Sequence, residues 1–75
     1  MDKAELYRRI GLKIRKLREE KKLSLQNLSD KLDIEYNNLI RIEKGRTNPT
    51  IGTLFKICQP LDVKLIEIVD VESKD

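Results

Sequence analysis

Seventy-five residues with 16 basic and 13 acidic side chains, one cysteine and no histidine bound the chemistry before any pattern is read. A chain this short makes one small domain, 1–75, which buries roughly 60% of the surface its unfolded form exposes and gains from a second subunit. One cysteine excludes an intramolecular disulfide, the lack of a second thiol or an imidazole leaves no zinc site and no nucleophile with a base, and no apolar run is long enough for a membrane span or a signal peptide; we expect a reduced, cytoplasmic protein without metal or cofactor.

Leu6, Ile10, Ile14 and Leu17 recur at intervals of four, four and three, which predicts a first helix over about residues 4 to 21 with one buried stripe. Its outward face carries Arg8, Arg9, Lys13, Arg15 and Lys16. Ser24 is an N-cap residue ahead of Leu28 and Leu32, so a short second helix is expected over about 25–32, with Asp33 in the following turn. A third helix, about 36–44, should stop at Gly45, which takes a positive φ without steric cost.

The segment "RTNPT" reads as a loop, after which Thr50 caps a fourth helix over about 51–59 and Pro60 closes it. Leu54, Ile57, Cys58 and Leu61 form one stripe, so Cys58 is expected in the core. Residues 63–71 are ambiguous: Leu65, Ile68 and Val69 make a helical stripe, yet the segment is rich in the Val and Ile of strands. Helix is preferred, and five short helices give an all-α domain. The charge is uneven along this order. Residues 1–59 hold 14 basic and 8 acidic side chains and residues 60–75 hold 2 and 5, a basic body with an acidic tail. A polyanionic partner for the body would account for that split, as would ordinary solvated faces.

A helix ending near 32, a turn at 33–35 and a helix from 36 have the spacing of a helix-turn-helix over about 24–44. On the wheel of the third helix, Leu39, Ile42 and Glu43 share one side, while Tyr36, Asn37, Ile40, Arg41 and Lys44 share the other. Ile40 is the apolar residue in the middle of that polar side.

Over roughly residues 9–70 the chain resembles the lambda-repressor/Cro-like (XRE-type) helix-turn-helix family. The resemblance rests on "IGLKIRKLREEKKLSLQNLSDKL", on the helix exit "LIRIEKG", and on "RTNPTIGTLFKICQPLDV" with its Asn-Pro loop and fourth helix. It implies a compact five-helix DNA-binding domain in which Tyr36, Asn37, Ile40 and Arg41 read bases. Arg41 has the geometry for guanine O6 and N7 and Asn37 for adenine N6 and N7, while Ile40 either packs on a thymine methyl, the preferred reading, or forms with Leu25 and Tyr36 a small apolar patch for a protein. Lys44 and Arg46, with Gln26 and Asn38, are expected to position the domain on phosphates. The same resemblance makes Arg18 and Glu43 a structural ion pair rather than a DNA contact.

Four positions depart from the family's pattern. Leu25 stands where the family has a phosphate-touching glutamine, with Gln26 one residue on, and Glu35 replaces the usual Ser or Thr cap of the recognition helix. Lys22 and Asp33 replace turn glycines, of which Asp is the better tolerated at positive φ. Leu25 and Glu35 together imply weaker or more selective DNA binding than is usual for the family.

The expected function is therefore a sequence-specific, dimeric regulator of transcription, a repressor acting on a palindromic operator, with the recognition helix in the major groove. One alternative is the antitoxin of a toxin–antitoxin pair, for which Ile66, Val69 and Val71 offer apolar surface and the acidic tail suits a basic toxin; a homodimer contact is the preferred use of the same residues. A controller of a restriction–modification operon is a variant within the DNA-binding class. No set of residues for catalysis can be assembled, so an enzyme is not expected.

Overall fold

A computed structural model describes residues 1–72; the last three residues of the acidic tail, 73–75, lie outside the described residues. The described chain is five α-helices in order, α1 (Lys3–Glu20), α2 (Leu25–Leu32), α3 (Tyr36–Glu43), α4 (Ile51–Leu61) and α5 (Leu65–Val69), with no strand among these residues. The helical stripe of residues 63–71 thus prevails over their strand propensity, but only for one and a half turns. Ile68 enters the core completely, and burial of that one side chain on a helix decides the conformation.

The starts of the helices follow local capping. The Asp2 carboxylate accepts from Glu5 N–H at 2.9 Å, the Thr50 hydroxyl from Thr53 N–H at 3.0 Å, and Ser24 forms a reciprocal box with Asn27. Glu35 makes no side-chain cap bond, so α3 begins without one.

The ends of the first four helices share one device. Residues 22, 33, 45 and 62 each take positive φ, between 53° and 70°, and in each case the following N–H reaches back to a carbonyl five residues earlier: Leu23 to Arg18, Ile34 to Ser29, Arg46 to Arg41, Val63 to Cys58. Leu23, Ile34 and Val63 then pack on the core, so burial of the residue after the turn offsets the strain in Lys22, Asp33 and Asp62.

One boundary differs by more than a residue from the sequence expectation. Pro60 does not close α4 but lies inside its last turn, and the helix ends at the left-handed Asp62. Leu61, which is fully buried, draws the chain through one more helical position. The carbonyl that Pro60 leaves without an N–H partner belongs to Lys56, an exposed residue whose backbone water can reach. The core comprises Ile10, Ile14, Leu28, Leu32, Leu39, Ile42, Leu54, Ile57, Cys58, Leu61 and Ile68, so every helix contributes. Burial pushes the Cys58 thiol up, away from the thiolate form that a nucleophile needs.

Candidate nucleic-acid interface

The α2–turn–α3 unit is held at the C-terminal end of α3, where two glycines let backbones touch. A Cβ on Gly11 would collide with the carbonyls of Ile42 and Glu43, and a Cβ on Gly45 would meet the Arg8 backbone at 2.5–2.6 Å. No other residue type fits either place. Beside this seam the Arg18 guanidinium donates to both Glu43 oxygens, at 2.8 and 3.1 Å, and to the Leu23 carbonyl at 2.8 Å. Both side chains are more than nine-tenths buried. The Glu43 hydrogen bonds hold the Arg18 guanidinium above its ordinary value, against the opposing pull of burial. One arginine thus ties α1, the α1–α2 turn and the last turn of α3 together.

Pinned in this way, α3 buries Leu39, Ile42 and Glu43 and turns Tyr36, Asn37, Arg41 and Lys44 to solvent. Ile40 is half-buried between them, so its side chain forms part of the face but sits lower than its neighbours. Asn38, also half-buried, accepts from Arg41 Nη2 at 3.4 Å and steers that guanidinium. Arg46 is exposed just beyond Gly45. These residues lie on one stretch of surface because they share one side of one helix and its exit.

Two placements qualify the sequence reading. Gln26 is exposed, but its amide already donates to Asp30 at 2.9 Å, so a phosphate must compete with a carboxylate for it. Leu25 is half-buried against the core rather than free beside Ile40 and Tyr36, which removes it from any apolar patch on the recognition face. Its substitution for a polar residue therefore has a packing explanation.

The exposed apolar surface of α4 and α5 is distributed differently from the expectation. Ile66 is 60% exposed, whereas Val69 and Val71 are half-buried against the core. The chain after α5 folds back along α1, where the Val71 carbonyl accepts from Arg9 Nη1 at 3.1 Å. Arg9 is in turn held by Glu5, whose carboxyl the guanidinium hydrogen bonds of Arg8 and Arg9 lower to about 2. Ile51 and Phe55 of α4 are exposed to a similar degree, at 64% and 57%. Their i, i+4 spacing puts them on one face of α4, beside the core stripe of Leu54, Ile57, Cys58 and Leu61, and is readable in the sequence. Among the described residues no three His, Cys, Asp or Glu side chains come together to hold a metal, and no helix is long and apolar enough to cross a membrane.

Comparison with known proteins agrees with this geometry. A helix-turn-helix family model matches residues 14–68. The chain is 31% identical over 65 residues to an uncharacterized HTH-type transcriptional regulator, y4dJ of Sinorhizobium fredii, covering 87% of this chain and 84% of that protein. It is 31% identical over 64 residues to the immunity repressor protein of Bacillus phage phi105, covering 85% of this chain but only 44% of the repressor. Among solved structures it superposes on the restriction-modification controller protein C.AhdI of Aeromonas hydrophila with a TM-score of 0.80 and 26% identity, covering 87% of this chain and 97% of that one. With most of its length matched by the family model and an exposed polar face on the second helix of the motif, the chain belongs to the helix-turn-helix family of DNA-binding transcriptional regulators.

Proposed function

We propose that the protein is a dimeric, cytoplasmic repressor that reads a palindromic operator through the outer face of α3. The observation that carries this reading is the face itself: Tyr36, Asn37 and Arg41 are exposed around the half-buried Ile40, on a helix whose exit is fixed by the Arg18–Glu43 pair. Arg41 pairs with guanine, Asn37 with adenine, and Ile40 packs on a thymine methyl, the one apolar feature of the major-groove code. Lys44 and Arg46 neutralise phosphates and fix the register, with Asn38 steering Arg41 and Gln26 giving up Asp30 for a phosphate when DNA arrives. Tyr36 sits at the N-terminal end of the helix, the part that enters a groove deepest.

Ile51, Phe55 and Ile66 are the surface on which a second copy is proposed to dock, setting two recognition helices about one turn of DNA apart. This apolar surface also supports the second reading, a protein partner such as a toxin, and the likeness to C.AhdI at nearly full length supports the role of operon controller within the DNA-binding class. Binding chemistry accounts for all of these surfaces without catalysis. Selection from random duplex DNA tests the main reading and is expected to return one palindromic site. On that site, replacing the contacted thymine by uracil should weaken the wild type and leave Ile40→Ala unaffected. Recovery of unrelated sequences would overturn the main reading, and a wild type indifferent to the methyl would remove Ile40 from it.

A further inference from the structure

The basic outward face of α1 is not used by the recognition helix. Arg8, Leu12 and Arg15 follow one another at i, i+4 and i+7, directly beside the Gly11 and Arg18 positions that seat α3. Across from them stand Lys44 and Arg46 of the α3 exit, and together these side chains line an open cleft of about 350 Å³, whose inner wall is the Arg18–Glu43 pair. Since that pair neutralises itself, the cleft's uncompensated charge among the described residues comes from Lys44 and Arg46, and Arg8 and Arg15 add guanidinium donors whose charge is partly offset by Glu5 and Glu19. Glu5 braces Arg8 with contacts at 2.6 and 2.9 Å, and Glu19 braces Arg15 at 3.2 Å. Both braces are on the helix itself, spaced i, i+3 and i, i+4, so they hold the guanidiniums over α1 and leave N–H groups to donate. Among the described residues Lys44 and Arg46 make no ion pair.

We infer that Arg8 and Arg15 of α1 form, with Lys44 and Arg46, a clamp for the DNA backbone that carries the footprint beyond the recognition helix. The occupant is duplex DNA because the cleft is continuous with the proposed base-reading face: Lys44 belongs to both, one helical turn from Ile40 and Arg41. The clamp holds phosphates without reading sequence, since a phosphate carries no base information. It also answers the departures at Leu25 and Glu35. A domain whose α2 start offers a phosphate only Gln26, in competition with Asp30, gains backbone contacts at the far end of α3, from a helix outside the motif. The inference rests on the DNA-binding reading of α3.

The experiment measures the affinity of full-length protein for its selected duplex and for a scrambled duplex across a range of salt. Wild type is compared with Arg8→Gln/Arg15→Gln and with Arg15→Glu, with folding of each checked by circular dichroism. Each lost phosphate contact removes roughly 0.9 from the slope of log K against log salt, so the double variant should be shallower by about two while keeping its preference for the selected duplex. Arg15→Glu should weaken both duplexes by the same factor. A slope unchanged in folded variants that still prefer the selected duplex overturns the clamp and leaves the α3 reading standing. Loss of preference without loss of slope also overturns it. A wild type that prefers no duplex overturns both.

Discussion

The α1–α3 seam and the α4–α5 surface are built in opposite ways. At the seam, two helices meet backbone to backbone at Gly11 and Gly45, and a buried bidentate ion pair closes the gap beside them. On α4 and α5, by contrast, Ile51, Phe55 and Ile66 are largely exposed among the described residues. The contrast separates two demands on a small domain. A recognition helix must be held rigidly for its side chains to select bases, and rigidity comes from close packing. A surface meant for a second molecule keeps apolar area free until that molecule arrives.

The largest effect should follow from attacking the seam. Gly45→Val places a branched side chain at a φ of 70° and against the Arg8 backbone. Strain of about 1–2 kcal/mol and overpacking of about 1–3 kcal/mol together approach the whole stability of a small domain. Thermal denaturation should show the melting temperature lowered by roughly 20 °C or the transition lost.

Arg18→Met should have a comparable effect, about 3–5 kcal/mol, because it leaves the Glu43 carboxylate buried without its partner. Adding Glu43→Leu should restore much of that loss, since the pair's cost of desolvation disappears with it. Urea denaturation of the single and double variants would show the recovery, and a double variant as unstable as the single one would mean that the pair contributes more than charge neutralisation.

On the α4–α5 surface Phe55→Ser should leave the melting temperature of dilute protein nearly unchanged and lower the dimer fraction at least tenfold, read by analytical ultracentrifugation. If it unfolds the domain, the two regions are not built differently after all. The smallest effect belongs to the other helix exits. Lys22→Gly should stabilise by about 1 kcal/mol, because Lys22 has a φ of 58°, which glycine adopts without the strain of a Cβ.

These exits also show what a sequence does and does not disclose. Gly45 is readable as a helix stop, yet nothing in the sequence says that α1 lies against it, a fact that belongs to packing between residues 8 and 45. The first three helices are legible to within a residue because capping and periodicity are local properties, with Ser24 as the clearest case. Pro60 misleads for the same reason: local chemistry names it a stop, and the burial of Leu61 overrides that. Val69 and Val71 look available in the sequence and are half-buried because the chain end turns back to meet Arg9, again a distant contact. The polar face of α3 is plain from a helical wheel, whereas its alignment with Arg8 and Arg15 depends on how α1 crosses the α3 exit.

The central claim is that the outer face of α3 selects a DNA sequence. Its most direct test is the affinity of wild type and Arg41→Ala for the selected duplex and for its single base-pair variants, at one fixed salt concentration. The account predicts that wild type discriminates at one G·C pair by about 1–3 kcal/mol and that Arg41→Ala loses discrimination at that pair alone. Equal affinity of the wild type for every variant, or an identical profile from Arg41→Ala, would contradict it.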